Sequence, residues 1–215
     1  REVRFGSPIP PPLAAFDRHG DVLHVGSFSK SLIPALRLGY LVARGPARDR
    51  LLALKRASDL CCSSLLQRAL HAFLERGALQ RHWKRVSRVY RRRQATMLAS
   101  LRRHFPWEAR WTAVEGGLGL WVELPPDVSV SALFDDAIRH RVSFAEGAAF
   151  FPEPADQPYM RLGFAPLREE QIERGIAILG ELLAQRVSHR PPARRIGERA
   201  PHAAALASLV AASTG

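Results

Sequence analysis

The sequence predicts an α/β protein in two parts that one long helix connects. Three observations support this fold class. Two short apolar runs flank a hydroxyl-rich turn at residues 26–37. The stretch from Ala78 to His104 contains neither Pro nor Gly and keeps a helical pattern. After Pro106, short apolar runs alternate with helical patterns, which is typical of a compact α/β domain.

The first part, residues 1–76, is predicted to hold two strands and two helices. Apolar runs at 21–25 and 38–43 predict the strands. Gly45-Pro46 is typical of a helix start, so we expect helices at 45–57 and about 61–76. Five apolar residues of the second helix recur at helical spacing, and we expect them to be buried: Leu65, Leu66, Leu70, Phe73 and Leu74.

The connecting helix, which we assign to residues 77–104, is amphipathic. Its apolar stripe comprises Leu79, Trp83, Val86, Val89, Tyr90, Met97, Leu98 and Leu101. Much of its other face carries Arg81, Arg85, Arg88, Arg92 and Arg103. A basic helix of this kind can bind a polyanion, but a bridging helix with one solvated face is the interpretation we favour.

The second part, residues 105–187, is predicted to alternate strands with helices. Strands are expected at 111–114, 118–124, 142–144 and 159–164, and a loop at 147–154. Helices are expected from Ser129 or Ser131 to about His140, and from Leu167 to about Val187. Residues 188–215 are rich in Pro and Arg and then Ala, and we expect a disordered tail.

Composition excludes few functions. The 215 residues are 47% hydrophobic and carry a net charge of +12, almost wholly from arginine. Such a surplus permits polyanion binding, but a solvated basic surface is the interpretation we favour. No apolar run approaches the roughly 20 residues of a membrane-spanning helix. Cys61 and Cys62 are adjacent and suit a reducing cytoplasm, and we expect buried structural thiols and no metal site.

The chemistry that the sequence offers concentrates between the first two predicted strands. Lys30 follows Ser27 by three residues and Ser29 by one, and Arg37 comes seven residues later. An amine can form a Schiff base with an aldehyde, while hydroxyls and a guanidinium hydrogen-bond phosphate oxygens. This set at a strand end therefore suits a phosphorylated aldehyde. The alternative is a Ser-rich turn with a solvated lysine.

Two segments carry a resemblance to a known family. Ser27-Phe28-Ser29-Lys30 with Leu36-Arg37-Leu38-Gly39-Tyr40 resembles the cofactor-lysine signature of fold-type I pyridoxal-phosphate (PLP) aminotransferases of class I/II. Residues 81–93 resemble the long interdomain helix of MocR-type regulators of the GntR family, in which this domain is fused to a winged-helix DNA-binding domain. The resemblance implies the C-terminal portion of a fold-type I PLP-dependent transferase, with a remnant of the large domain at 1–76 and the small domain at 105–187.

The resemblance also implies roles for individual residues. Lys30 would hold pyridoxal 5'-phosphate and then act as general base, and Ser27, Ser29 and Arg37 would help to bind the cofactor. Arg161, in the segment Tyr159-Met160-Arg161-Leu162-Gly163-Phe164, would bind the substrate carboxylate. The alternative role for Arg161 is that of a strand arginine whose side chain pairs with a surface acid. Residues 115–121 resemble a Gly-Gly turn near the substrate, and residues 144–150 a loop that closes over the pocket.

The resemblance covers only the C-terminal part of the family's domain. It implies that a Gly-rich phosphate loop, a ring-stacking aromatic and the acid on the pyridine nitrogen precede Lys30 by well over a hundred residues. We therefore expect a fragment of a cytoplasmic protein that is a homodimer when intact. Three hypotheses stay open: the domain of a regulator that senses an amino acid or amine and contacts DNA through another domain, a free-standing aminotransferase, and a remnant that binds no cofactor.

Overall fold

The computed structural model describes residue 4 and residues 11–59, 61–112, 115–153 and 157–187. The chain divides into two compact units. Unit 1 is Arg1–Arg91 with Glu115–Gly117, and unit 2 is Arg92–Val114 with Leu118–Gly215. The predicted tail at 188–215 lies outside the described residues, and the predicted domain limits stay predictions.

Unit 1 contains a two-stranded antiparallel ribbon followed by helices. Its elements are β1 (His24–Ser27), β2 (Gly39–Val42), α1 (Gly45–Ser58), α2 (Ser64–Glu75) and the first part of α3 (Ala78–His104). Single 3-10 turns lie at Leu13–Ala15 and Pro34–Leu36. In the ribbon Ser27 lies opposite Gly39 and Val25 opposite Leu41. The two strands and two helices predicted for residues 1–76 are thus present, with shifted ends.

One carboxylate organises the turn that leads into β1. Asp17 Oδ1 accepts the backbone N–H groups of His19, Gly20 and Asp21, and Oδ2 accepts that of Val22. Burial pushes the pKa of Asp17 upward, but the four N–H bonds outweigh it and hold the pKa below its ordinary value. The stabilisation of this turn is therefore present at neutral pH and is lost as the pH falls through that lowered pKa.

Helix α2 has clear ends but little cover. Ser63 caps its N-terminus by accepting the Leu66 N–H at 3.4 Å, and Gly77 follows it with a φ of 61°, a common helix stop. All residues of α2 are described and none is fully buried, and Leu65 is 74% exposed. The prediction that Leu65 is buried is wrong, and Leu66, Leu70, Phe73 and Leu74 are only half-buried. Helical spacing identifies apolar positions without identifying what covers them.

Unit 2 contains a four-stranded antiparallel sheet in the order β3-β4-β6-β5. Its elements are the rest of α3, β3 (Arg110–Trp111), β4 (Gly119–Glu123), α4 (Val130–Arg139), β5 (Ala145–Glu146), β6 (Tyr159–Gly163) and α5 (Glu169–Ala184), with a 3-10 helix at Gly147–Phe150. Ser129 caps α4 by accepting the Ala132 N–H. Across β4 and β6, Leu120 pairs with Leu162 and Trp121 with Arg161.

The core of unit 2 lies on one face of this sheet. Alternate residues of β4 and β6, namely Leu120, Val122, Met160 and Leu162, are at most 3% exposed. Buried residues of the helices and of the loop after β6 complete the core: Leu101, Leu133, Phe164, Ile172, Ile176, Leu179 and Leu183. Burying side chains of this size stabilises the fold by about 1.5–3 kcal/mol each. The helical spacing predicted for the last helix, α5, is confirmed.

The prediction for α3 is confirmed, but one predicted strand is misplaced. We expected a strand at 142–144, whereas β5 begins at Ala145. Arg141 takes a φ of 62°, and the Val142 N–H bonds the Ala137 carbonyl at 2.9 Å. These residues therefore belong to the C-terminal cap of α4, and the chain becomes extended only afterwards. None of the described helices is both long and apolar enough to cross a membrane.

Helix α5 approaches the end of α3 closely at Gly180. A Cβ atom added to Gly180 would lie 2.4 Å from the backbone oxygen of His104. In contrast, a Cβ on Gly175, in the same helix, would meet only a Val142 methyl at 4.0 Å. Packing therefore requires glycine at position 180 but not at position 175.

We predict that Gly180→Ala and Gly175→Ala change stability in opposite directions. Gly180→Ala forces the two helices apart and should destabilise the protein by about 1–3 kcal/mol. Gly175→Ala should stabilise it by roughly 0.5–1 kcal/mol, because Ala is the better helix former. Urea unfolding curves followed by circular dichroism measure both values. Equal effects of the two substitutions would contradict this packing.

Candidate functional site

The lysine predicted to be functional lies in a short turn at the end of the β1–β2 ribbon. The Phe28 N–H donates to the Leu38 carbonyl at 3.1 Å, and the Leu32 N–H donates to the Phe28 carbonyl at 2.8 Å. The second bond closes a tight turn around residues 29–31. Lys30, in the middle of that turn, is exposed. Its amine is therefore presented on a backbone that two hydrogen bonds fix.

Three serine hydroxyls surround Lys30 in sequence and differ in environment. Ser27 Oγ accepts the Ser29 N–H at 3.2 Å, which leaves the Ser27 hydroxyl hydrogen free to donate to an anion. Ser31 is 4% exposed, and its hydroxyl finds no hydrogen-bond partner among the described residues. The prediction from sequence names Ser27 and Ser29 but omits Ser31. The signal for Ser31 was its position directly after Lys30, as the third hydroxyl of the turn.

Arg37 enters the ribbon with a strained backbone. Its φ of 51° and ψ of 29° lie in the left-handed region, directly after the 3-10 turn Pro34–Leu36. A residue with a Cβ atom occupies this region at a cost of about 1 kcal/mol or more. Arg37 is exposed, and Leu38, which follows it, is buried. Because Ser27 pairs with Gly39, Ser27 and Arg37 come to the same end of the ribbon.

Two glycines let aromatic and backbone groups approach closely beneath this turn. A Cβ on Gly26 would lie 2.2 Å from Cζ of Tyr40, and a Cβ on Gly39 would lie 2.8 Å from the Gly26 carbonyl oxygen. The Tyr40 ring consequently lies across Gly26, with its centroid 5.6 Å from that of Phe28 and 5.7 Å from that of His24.

A cavity of about 360 Å³ lies within unit 1, next to the ribbon. Its lining residues are Phe28, Leu38, Gly39, Tyr40, Lys55, Cys62, Gln67, Leu70, His71 and Leu74. Lys55 bonds Asp59 at 2.5 Å, and this bond raises the pKa of Lys55 above its ordinary value. Cys61 is exposed and Cys62 is half-buried, so the prediction of two buried thiols is wrong. Within the described ranges, no His, Cys, Asp or Glu residues are grouped to hold a metal ion.

The predicted carboxylate-binding residue lies in unit 2, on the sheet face opposite the core. Arg161, in the middle of β6, pairs with Trp121 of β4 on one side and with Ala145 of β5 on the other. Its side chain is exposed, and its Cζ lies 6.0 Å from the centre of the Phe150 ring. No acid of the described residues forms an ion pair with it, so the surface-acid alternative gains no support.

The two glycine-containing segments noted in the sequence are backbone features. Gly117 has a φ of 88°, and in the same turn Glu115 pairs with Arg4 at 3.2 Å. Gly147 is buried, and a Cβ added to it would lie 2.5 Å from the Tyr159 carbonyl oxygen. These positions need glycine for backbone geometry or close approach.

A family model and two similar curated relatives point to the same protein family. The model of aminotransferase class I and II matches residues 2–179. The 2-aminoadipate transaminase of Thermus thermophilus is 37% identical over 85% of this chain and 47% of its own length. The uncharacterized HTH-type transcriptional regulator YdfD of Bacillus subtilis is 32% identical over 84% of this chain and 37% of its own length. The chain thus spans about half the length, or less, of these relatives.

A solved structure agrees with this result. The α-aminoadipate aminotransferase LysN of Thermus thermophilus, complexed with N-(5'-phosphopyridoxyl)-L-leucine, superposes with a TM-score of 0.80 at 36% identity, over 86% of this chain and 48% of that one. The predicted fold, part of a fold-type I transferase, is confirmed, and the family and this complex support pyridoxal 5'-phosphate as its cofactor. Because the family model covers most of its residues, the chain belongs to the aminotransferase class I and II family.

Proposed function

We propose that this chain is part of a PLP-dependent domain that recognises an amino acid or amine, with Lys30 as the cofactor lysine. The observation that carries the proposal is the turn at the end of the ribbon. It presents an exposed amine between a serine hydroxyl that can still donate and an arginine in a strained backbone conformation. The family to which the chain belongs supports the choice of cofactor.

In this proposal Ser27, Ser29 and Arg37 bind the phosphate of the cofactor. The Ser27 hydroxyl donates one hydrogen bond, and the planar guanidinium of Arg37 donates up to two parallel ones. Hydrogen bonds to a charged group contribute about 1.5–3 kcal/mol each, which exceeds the backbone cost at Arg37. That comparison gives a reason for a residue other than glycine at this position.

Lys30 has two tasks in the proposal. It would hold the cofactor through Nζ, and its amine would serve as the base that accepts the proton of the substrate α-carbon. The cofactor supplies an electron sink that stabilises the negative charge left on that carbon. The exposure of Lys30 in the described residues is consistent with an amine that must reach two partners in turn.

Arg161 binds the carboxylate of the amino acid in this proposal. Its position in the middle of a strand limits the motion of its backbone, and its guanidinium is exposed and unpaired by any described acid. A rigid, planar donor of this kind matches the two oxygens of a carboxylate. The family resemblance is the reason to assign Lys30 and Arg161 to one reaction.

The surface of unit 1 supports the view that the domain is larger in the whole protein. A two-stranded ribbon is marginally stable by itself. Here its Val25 is 72% exposed, and Leu41 and Val42 are about half exposed, at 48% and 51%. We propose that the half of the domain present in the relatives covers these side chains, and that the whole protein forms a homodimer.

Between the two classes of relatives, we favour the domain of a MocR-type regulator over a free-standing aminotransferase. The observation behind this choice is helix α3, which runs unbroken through the His- and Arg-rich segment 81–93. In a regulator, amino acid binding would change the small domain, and DNA would be contacted by another domain. The 2-aminoadipate transaminase keeps the enzyme alternative open.

We predict that PLP attaches at Lys30 and at neither of the other two lysines, Lys55 and Lys84. Incubation with PLP followed by borohydride reduction fixes the cofactor on the lysine that holds it. Mass spectrometry of the digested protein should then find the label on the Lys30 peptide. Lys30→Ala should abolish the visible absorbance of the bound cofactor, and the control Lys55→Ala should keep it. Equal labelling of all three lysines would refute the assignment.

We predict that Arg37→Gly weakens PLP binding without weakening the fold. Glycine relieves the left-handed backbone but removes the phosphate donor, so the affinity should fall by about tenfold or more. Arg141→Gly is a matched control, because Arg141 also has a positive φ, of 62°, and lies away from the lysine turn in sequence. Both variants should unfold within a few degrees of the parent. Unchanged PLP affinity in Arg37→Gly would remove Arg37 from the site.

We predict that the whole protein responds to an amino acid without sustained turnover. Addition of a recognised amino acid should change the absorbance of bound PLP. With a 2-oxo acid also present, product should not accumulate much beyond one equivalent per site. Continued product formation would overturn the regulator assignment in favour of the aminotransferase. An Arg161→Ala variant should lose the response to the amino acid in either case.

A further inference from the structure

The sheet face that carries Arg161 is aromatic. Side chains alternate along β4 and β6, so Trp121, Tyr159 and Arg161 share the face opposite the core. Phe150 and Phe151 lie over this face, with ring centroids 5.5 Å and 5.8 Å from that of Trp121. We call Trp121, Phe150, Phe151 and Tyr159 the aromatic face.

The four rings are arranged so that one stays open to a ligand. Tyr159 stacks with Trp121 and with Phe151, at interplanar angles of 28° and 25°. Phe150 instead meets Trp121 edge-on at 89° and keeps 52% of its surface exposed. The stacked pairs hold the Trp121 ring in position, while Phe150 and Trp121 form two walls at right angles.

Arg161 lies beside these walls with its hydrogen-bonding edge available. A guanidinium meets an aromatic ring with its planar face, which leaves the N–H groups at its edge for other partners. Its distance of 6.0 Å from the Phe150 ring is at the outer limit of such a contact. A carboxylate bound to that edge would therefore carry its substituent next to Phe150 and Trp121.

The same face has a gap next to Arg161. Gly163, two residues along β6, points to this face, and a Cβ added there would meet nothing within 4 Å. Its φ is not in the left-handed region, so side chains are tolerated by the backbone. The space in front of Gly163 is therefore open, and a side chain substituted there would occupy it.

The charges of the face select among carboxylates. Of the described strand residues on this face, Arg161 and Arg110 are the cations, and Arg110 of β3 lies directly opposite Glu123 at the far end of β4. A second carboxylate on the ligand would therefore have to compete with Glu123 for Arg110. An aromatic side chain would instead contact Trp121 and Phe150.

We propose that this face selects amino acids with an aromatic side chain, bound through their carboxylate at Arg161 and through their ring at Trp121, Phe150 and the space beside Gly163. The inference rests on the proposed function for the role of Arg161 and adds to it the class of amino acid. Ring–ring contacts and burial of the side chain supply the preference.

Unreactive acids test the proposal in the whole protein without any chemistry at the cofactor. We expect calorimetry to show that 3-phenylpropionate binds about tenfold more tightly than either propionate or glutarate. Gly163→Val should fill the open space and remove that preference, and Trp121→Ala should do the same. Trp107→Ala is the matched control, because Trp107 is 55% exposed in unit 2 and belongs to none of its strands.

The outcomes separate this inference from the proposed function. If Trp121→Ala fails to fold, Gly163→Val decides, since its backbone tolerates the change. Equal binding of the three acids, or an unchanged preference in Gly163→Val with an intact melting curve, overturns the inference. Lys30→Ala should keep the preference, because these acids do not react with the lysine. Loss of PLP labelling at Lys30 with the acid preference retained would instead contradict the proposed function alone.

Discussion

The antiparallel pairing of β4 with β6 is the constraint on which most of unit 2 depends. Because side chains alternate along a strand, the register that sets Leu120 opposite Leu162 also sets Trp121 opposite Arg161. A shift of one residue would turn the arginine into the core and the leucines outward. One register thus produces both the apolar core and the exposed position of Arg161. The free energy gained by burying the core also fixes where the arginine lies.

Local signals in the sequence were sufficient for much of this arrangement. Helix α3 is predicted to within one residue of its observed ends, because Gly77 and Pro106 bound a long stretch without helix breakers. The lysine turn was placed at a strand end because Gly26 and several hydroxyls interrupt the apolar run. For α3 and the lysine turn, neighbouring residues carry the information. Arg161 is instead predicted from the family resemblance of its segment, because a charged residue in an apolar strand indicates a partner without saying which one.

The remaining features depend on contacts between distant residues, which local patterns do not contain. Leu65 has the spacing of a buried residue but no described neighbour covers it. Strand β5 begins later than predicted, because Arg141 and Val142 form the C-terminal cap of α4. Arg141 adopts a left-handed conformation there, which propensity does not predict for arginine. In the aromatic face Phe150 contacts Trp121, although helix α4 and strand β5 separate the two residues in sequence. The sequence signal for this face is the uninterrupted apolar run Leu120-Trp121-Val122. It indicates that both faces of the strand are covered, but it does not identify the residues that cover them.

The close approach of Gly180 to His104 has a consequence for how the protein is made. The helix that covers the sheet, α5, is the last described element to leave the ribosome, whereas the end of α3 that it contacts is synthesised much earlier. Until α5 emerges, the apolar sides of β4 and β6 lack a major part of their cover, and such transient surfaces favour aggregation. Completion of unit 2 during translation is therefore governed by its C-terminal helix, and a ribosome that stops before residue 180 would release a chain with an unfinished core.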